Sequence, residues 1–170
     1  GIPYFFTEDA EGTIWIGTEI GLYRYNDQDK QWERFSHIPG EENSLHHNSV
    51  RSICVDLQGT LWIGTNGGGL NRYNKSENNF SHFTSENGLT NDQVYSMVCD
   101  DHGMLWLGTQ NGLSKFNPSD YSFRNFTAKD GIQNYEFNTG AAKKLKDGTL
   151  LIGGITGYNI IDPDKIENNL

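Results

Sequence analysis

The apolar residues of this chain fall in short runs, punctuated by glycine and by clusters of polar residues. The clearest run is Leu61-Trp62-Ile63, held between Gly59-Thr60 and Gly64-Thr65. Copies are Ile14-Trp15-Ile16, between Gly12 and Gly17, and Leu105-Trp106-Leu107, between Gly103 and Gly108. A worn fourth copy is Leu150-Leu151-Ile152, between Gly148 and Gly153. Three consecutive apolar residues, partly β-branched or aromatic and bounded by glycine, predict a short strand rather than a helix. An unbroken apolar run also predicts burial on both faces, as in a strand sandwiched between two other sheets. Recurrence at a period of about 45 residues signals a repeat architecture, in which each unit is a small sheet stacked on copies of itself.

The second repeat shows the unit in full. Ser49 to Val55 reads as a first strand, and Asp56-Leu57-Gln58-Gly59 as a type I turn with Asp first and Gly last. The Trp62 strand follows, then the Gly-rich turn Asn66-Gly67-Gly68, a third strand from Gly69 to Tyr73, and a fourth from Asn79 to Phe83. The other repeats fit this frame, except that the last ends without a clear fourth strand; its first strand is expected over Thr139 to Lys144 and its third over Gly157 to Ile161. The fold class expected is therefore all-β: β-propeller blades, about four repeats of a four-stranded antiparallel sheet with the last one incomplete, giving fifteen strands. Approximate blade limits are 1–46, 47–91, 92–136 and 137–170. Helix has almost no place; Asp162 to Ile166 is at most one turn or the start of a linker.

Composition narrows the partners. The chain has 170 residues, a formal net charge of −9 and no stretch that looks like a membrane helix or a signal peptide. A nucleic acid or an anionic membrane surface is not expected as partner, because both need a basic patch. The chain begins at Gly1 rather than Met, and is expected to be a piece of something longer. Cys54 and Cys99 lie in equivalent strands one register step apart, so their side chains are expected to face opposite ways as two isolated thiols.

The pattern Val50…Ile53…Asp56…Gly59-x-Leu61-Trp62-Ile63-Gly64-Thr65…Gly69-Leu70…Tyr73 resembles the two-component regulator propeller repeat. The ending, from Asn138-Thr139-Gly140-Ala141 through Asp147-Gly148, Gly153-Gly154 and Gly157-Tyr158 to Asp162-Pro163, is similar to the last blade of the sensors that carry it. The resemblance implies the large periplasmic propeller of a hybrid two-component sensor histidine kinase from polysaccharide-degrading gut bacteria, followed by a β-sandwich, a membrane helix and the kinase. This chain has only about four blades and none of those later parts. On this resemblance the chain is expected to be a non-catalytic piece of an extracytoplasmic sensor, recognising an oligosaccharide and coupled to neighbouring blades and a downstream domain.

The repeats also act as a filter, because a residue recurring at one repeat position is most simply scaffold. Trp15, Trp62 and Trp106 are expected in the core between blades, with Phe35, Phe83 and Phe126; Asp9, Asp56 and Asp100 are expected as turn residues rather than calcium ligands. Function is sought where the pattern breaks at loops. In a propeller the loops between blades gather on one face with those joining second and third strands. That places His46, His47, Asn66, Asn91, Gln110, Asn134, Tyr135 and Glu136 as candidate ligand-binding residues around one concave mouth. Amides and an aromatic ring there suit the hydroxyls and apolar face of a sugar. The insertion giving Gly67-Gly68-Gly69 is unique to this repeat. No cofactor and no metal site is expected, since nothing at ligand spacing accompanies the two adjacent histidines. The enzyme reading left open is an antibiotic-inactivating propeller lyase, with His46 or His47 as base and Glu136 as its partner; a pure protein-interaction scaffold is the other rival. The unfinished fourth blade is expected to leave an open edge at Gly157 to Ile161. Together with the uncovered face of the first blade, that edge predicts self-association.

Overall fold

The computed structural model describes residues 1–27, 30–132 and 135–166. Among them are fifteen strands in four separate antiparallel sheets, so the expectation of propeller blades holds. Blade 1 holds β1 (Pro3–Glu8), β2 (Ile14–Thr18), β3 (Gly21–Asn26) and β4 (Gln31–Phe35). Blade 2 holds β5 (Val50–Val55), β6 (Leu61–Thr65), β7 (Leu70–Asn74) and β8 (Asn79–Phe83). Blade 3 holds β9 (Val94–Cys99), β10 (Leu105–Thr109), β11 (Gly112–Phe116) and β12 (Phe123–Phe126). Blade 4 has three strands: β13 (Phe137–Lys144), β14 (Leu150–Gly154) and β15 (Gly157–Ile161). The first strands β1, β5, β9 and β13 contact one another in turn and line the common axis. β1 and β13 also touch, where Phe5 lies beside Gly140.

Each of the first three blades is pinned by a bond that the turn Asp makes to the central Trp. In blade 2 the Asp56 carboxylate accepts from the Gln58 and Thr60 amides through Oδ1, at 3.0 and 2.8 Å, and from the Trp62 indole N–H through Oδ2 at 2.8 Å. Asp100 holds Trp106 in the same way at 2.8 Å, and Asp9 holds Trp15 at 2.9 Å. The three indoles are buried as expected, and the N–H of each is satisfied by the turn Asp. Trp15 packs edge-on against Tyr73 of the next blade and Trp62 against Phe116, at 5.0 and 5.1 Å between centroids. Blade 4 has lost both members of the pair: Leu151 stands at the Trp position and Leu145 at the Asp position.

A second fit joins the inner strands. A Cβ on Gly17 would come within 2.6 Å of Val50 in the next blade, one on Gly64 within 2.7 Å of Val94, and one on Gly108 within 2.8 Å of Phe137. The glycine that closes each of the first three apolar runs is thus a socket for the first inner-strand side chain of the following blade, and close approach is what requires it. In blade 4 that side chain is Phe137, so β13 starts two residues before the expected Thr139. Thr139 itself lies in an irregular stretch of β13, between the Phe137–Gly154 and Ala142–Ile152 pairs.

Three further differences from the sequence-based expectation have physical causes. Short 3-10 turns occur at Ser85–Asn87 and Ala128–Asp130, as well as at Pro163–Lys165 where one turn was expected. Both unexpected turns start after a Thr, end at a glycine with positive φ, and are closed by an Asn87 or Asp130 side chain accepting from the Thr84 or Thr127 amide. Phe126 is buried, but Phe35 and Phe83 are half-buried at the rims of their clusters. The cysteines need the fuller correction. Cys54 pairs with Trp62 and Cys99 with Leu105, so the two do point to opposite faces of their own sheets. Neighbouring blades, however, present opposite faces to each other, and both thiols enter the one core between blades 2 and 3. Both are free. Burial is the main reason the Cys54 thiol is pushed up to about 12 and Cys99 to about 11.

Candidate functional site

One end of the axis is knitted by a bond repeated in all four blades. The residue after each second strand donates its amide to the carbonyl of the residue leading into the first strand. The four cases are Glu19 to Ile2, Asn66 to Ser49, Gln110 to Gln93 and Ile155 to Glu136, at 2.8–3.1 Å. Bonds between blades extend the mesh: Gly67 and Gly69 both donate to the Asp92 carbonyl, and Gly112 donates to that of Tyr135. Asn66 and Gln93 also form an isolated bridge. These contacts fix the backbone of the channel mouth and leave its side chains to define the chemistry.

The inner strands aim side chains at the axis through bulges. Strand pairing skips one residue in each of the first three: Tyr4 between Pro3 and Phe5, Arg51 between Val50 and Ser52, and Tyr95 between Val94 and Ser96. A bulge re-aims the extra residue away from the alternating pattern. Val50 packs on Gly17 of blade 1 and Ser52 lies against Gly64, which faces blade 3, so Arg51 between them is left to face the axis. Its guanidinium carbon lies 4.1 Å from the Tyr4 ring centroid. Tyr95 stands in the same surroundings: burial and the Glu136 carboxylate push its hydroxyl upward, while Arg51 opposes them.

Several polar atoms near this mouth are buried without a hydrogen-bond partner: Arg51 Nε, Asn66 Oδ1, Gln93 Oε1 and Ser49 Oγ. Ser52 and Ser96 Oγ share that state one residue deeper on β5 and β9. An unpaired buried polar group costs about 1–3 kcal/mol, and a cluster of them is a reason to look for a role beyond stability.

Of the residues chosen from sequence, Asn66, Gln110 and Glu136 meet at this mesh. Tyr135 joins them through its carbonyl, and its side chain is exposed. Asn91 uses its side chain to accept from the Gln93 amide, shaping the loop into blade 3. Asn134 lies outside the described residues. His46 and His47 sit elsewhere in character. His46 stacks on His82 of the outer strand β8 at 4.5 Å, and its Nδ1 lies 3.2 Å from the Gly68 carbonyl. His47 accepts the Ser49 amide through Nδ1, and burial is the main reason its ring is harder to protonate. The unique glycines explain the pair: a Cβ on Gly68 would meet the His46–His47 backbone at 2.8 and 2.9 Å. The two breaks in the repeat are thus one packed unit. Among the described residues Glu136 makes no ion pair with either histidine.

Sequence reasoning passed over Tyr4, Arg51 and Tyr95. Their signal is that the position varies as Tyr, Arg and Tyr while its neighbours stay small or apolar, which is the same filter applied to a strand instead of a loop.

Two grooves lie at the other end of the blades. One of ≈580 Å³ runs between Asp9, Arg24, Tyr73 and Lys75, and one of ≈690 Å³ between His102, Lys115 and Pro163. Both occupy the wedge where neighbouring blades splay apart, and scaffold residues line much of them. No group of three His, Cys, Asp or Glu among the described residues is placed to hold a metal ion.

Four stacked antiparallel sheets around an axis, three of them pinned by an Asp–Trp pair, define a β-propeller architecture. Residues 44–67 and 88–111 match the family described as two component regulator propeller, so the chain carries repeats of that kind. Among solved structures it is similar to the extracellular domain of a hybrid two component system from B. thetaiotaomicron. That match has 26% identity and a TM-score of 0.82, covering 96% of this chain and 22% of that one. A histidine kinase, P4, of Formosa agariphila is 33% identical over 66 residues, 38% of this chain and 5% of the relative. Virginiamycin B lyase from Staphylococcus aureus shares the fold at 17% identity, with a TM-score of 0.64 over 94% of this chain and 54% of the lyase. The chain therefore spans a small part of the length of the sensor proteins it matches.

Proposed function

We propose that this chain is a non-catalytic part of the extracytoplasmic, periplasmic ligand-sensing propeller of a hybrid two-component sensor kinase. In this reading the channel mouth recognises an oligosaccharide, and the signal passes through neighbouring blades to a downstream domain and kinase. The observation that carries it is the likeness over 96% of the chain to the extracellular domain of a hybrid two component system. The mouth adds chemical support. Amide side chains at Asn66, Gln93 and Gln110 suit sugar hydroxyls, and the exposed Tyr135 offers an aromatic face.

The lyase reading has less behind it. Its fold likeness rests on 17% identity, and among the described residues Glu136 makes no ion pair with His46 or His47. The scaffold reading finds support in the exposed apolar side chains on the outer face of blade 1, Phe6 and Trp32 among them. Calorimetric titration of the chain with a panel of plant and host oligosaccharides separates the three. Saturable binding without turnover is expected. Turnover of a glycan or a lactone would favour the enzyme, and binding to protein alone would favour the scaffold.

A further inference from the structure

The channel mouth holds a cation that the fold pairs with no carboxylate. Among the described residues Arg51 makes no ion pair and no hydrogen bond; its one specific contact is the Tyr4 ring at 4.1 Å. Arginines on the third strands of the blades are engaged instead. Arg24 is paired with Glu33 and bonded to the Tyr73 hydroxyl at 2.6 Å, and Arg72 donates to the Tyr121 hydroxyl at 2.9 Å. In a chain of net charge −9 a guanidinium left without a carboxylate is notable by its setting alone. Burial and the Glu136 carboxylate push the Tyr95 hydroxyl upward while Arg51 opposes them, and His47 is harder to protonate mainly through burial, with the charges of His37 and Arg51 adding to it.

The surroundings fix what such a group can receive. The planar fork of Arg matches a carboxylate with two parallel N–H···O bonds, and stacking on Tyr4 holds the plane of that fork in advance. Tyr4 and Tyr95 fill the same bulge position on the inner strands to either side, Tyr4 with its ring against the guanidinium and Tyr95 close enough for its hydroxyl to feel that charge. Asn66 Oδ1 and Gln93 Oε1 are closed off from solvent, whereas Arg51 is only partly buried and so is the group within reach of a ligand. A partly exposed cation without a carboxylate, flanked by two tyrosines, describes a site for a sugar that carries an acid.

We propose that Arg51 is the anchor of an acidic-sugar subsite at the channel axis, binding the carboxylate of a uronic acid residue between Tyr4 and Tyr95. This rests on the oligosaccharide reading above and narrows it to glycans with a uronic acid. The bulge is the device: it takes one residue out of the blade packing at each inner strand, so the axis chemistry varies without disturbing the Val50 and Ser52 contacts on either side.

The test is calorimetric titration of the whole chain with uronic-acid oligosaccharides (oligogalacturonides, alginate, hyaluronan and heparin fragments) and with the same compounds after carboxyl reduction. At least one acidic compound is expected to bind about 10- to 100-fold more tightly than its reduced counterpart, the worth of a charge-assisted pair. Arg51→Gln is expected to abolish that preference, and Arg51→Lys to keep part of it, with unchanged thermal midpoints showing that the fold is intact. Equal affinity for acidic and reduced compounds, or a preference that survives Arg51→Gln, overturns the subsite while leaving the oligosaccharide sensor standing. Binding of free glucuronate that depends on Arg51, with no oligosaccharide bound, keeps the carboxylate site and overturns the oligosaccharide reading. No binding by any probe removes both.

Discussion

At the residue scale the repeat is held by two fits that depend on single side chains. In the first three blades the Asp–Trp bond ties the turn after the inner strand to the face that meets the next blade, and the glycine socket sets how closely that next blade approaches. Trp62→Ala removes the central ring of the cluster between blades 2 and 3, and is expected to cost about 3–5 kcal/mol. Asp56→Ala leaves a buried indole N–H and two turn amides without their acceptor, an expected loss of about 1–3 kcal/mol. The pair Trp62→Ala with Asp56→Ala should lose less than the sum, because the shared bond is deleted once. Urea denaturation of the four proteins measures it, and strict additivity would show that the bond contributes nothing. The Trp positions and the Asp turns were both legible in the sequence, because each recurs with the period. Their mutual bond was not, since a sequence shows that two residues repeat together and does not show which atoms meet. The joint replacement in blade 4, Leu145 with Leu151, is the trace of that bond that the sequence does carry.

At the element scale the long connection between blades 1 and 2 behaves as part of blade 2. Leu45 is fully buried in the core between those blades, Phe80 donates its amide to the Asn43 carbonyl at 2.9 Å, and His82 Nε2–H donates to the Ser44 carbonyl at 2.7 Å. The polar composition of this loop suggests free surface, and the outer strand it lies on could not be inferred from spacing. The insertion at Gly67 to Gly69 was visible, but its purpose needs the fold, because the residues it accommodates are some twenty positions earlier in the chain. The packing makes the loop sensitive to acid. Burial is the main reason His82 is harder to protonate than a free imidazole; the bond to the Ser44 carbonyl opposes it, and the stacked His46 adds a lesser push in the direction of burial. A histidine with a lowered folded pKa stabilises the fold above its unfolded pKa of about 6.5, and that contribution is lost as pH falls through the folded value. Amide exchange at Phe80 and His46 is therefore expected to be slow at pH 7.5 and, after correction for intrinsic rates, markedly less protected at about pH 5. His82→Gln should flatten the difference; protection that falls equally in that variant would place the acid sensitivity elsewhere.

At the scale of the whole molecule the two outer faces are unlike each other. On blade 1 the face turned away from blade 2 carries Phe6, Ile14 and Trp32, which are 61%, 40% and 50% exposed. The register places them level with Ile53, Leu61 and Phe80 of blade 2, which are 2%, 4% and 3% exposed because blade 1 covers them. Blade 1 is thus finished for an interface of the same kind as those within the chain. Blade 4 offers no match, for its outward face has Leu151, Tyr158 and Ile160 where a Trp and its partners would be needed. Contiguous apolar surface of this sort on an isolated protein is a site of association. The expected outcome for the chain alone is a two-fold dimer in which the blade 1 faces meet, since that surface is the one already shaped for burial and a two-fold contact uses the same patch twice. Sedimentation velocity across a hundredfold concentration range, about 1 to 100 μM and so starting at an affinity of about −8 kcal/mol, reads the equilibrium directly. Phe6→Lys with Trp32→Lys should leave a monomer with unchanged thermal stability at the lowest concentration, while Tyr158→Lys at the blade 4 edge should leave the dimer intact. A monomer throughout, or a dimer that survives the blade 1 substitutions and yields to Tyr158→Lys, would move the contact to the open edge of β15 or remove it altogether.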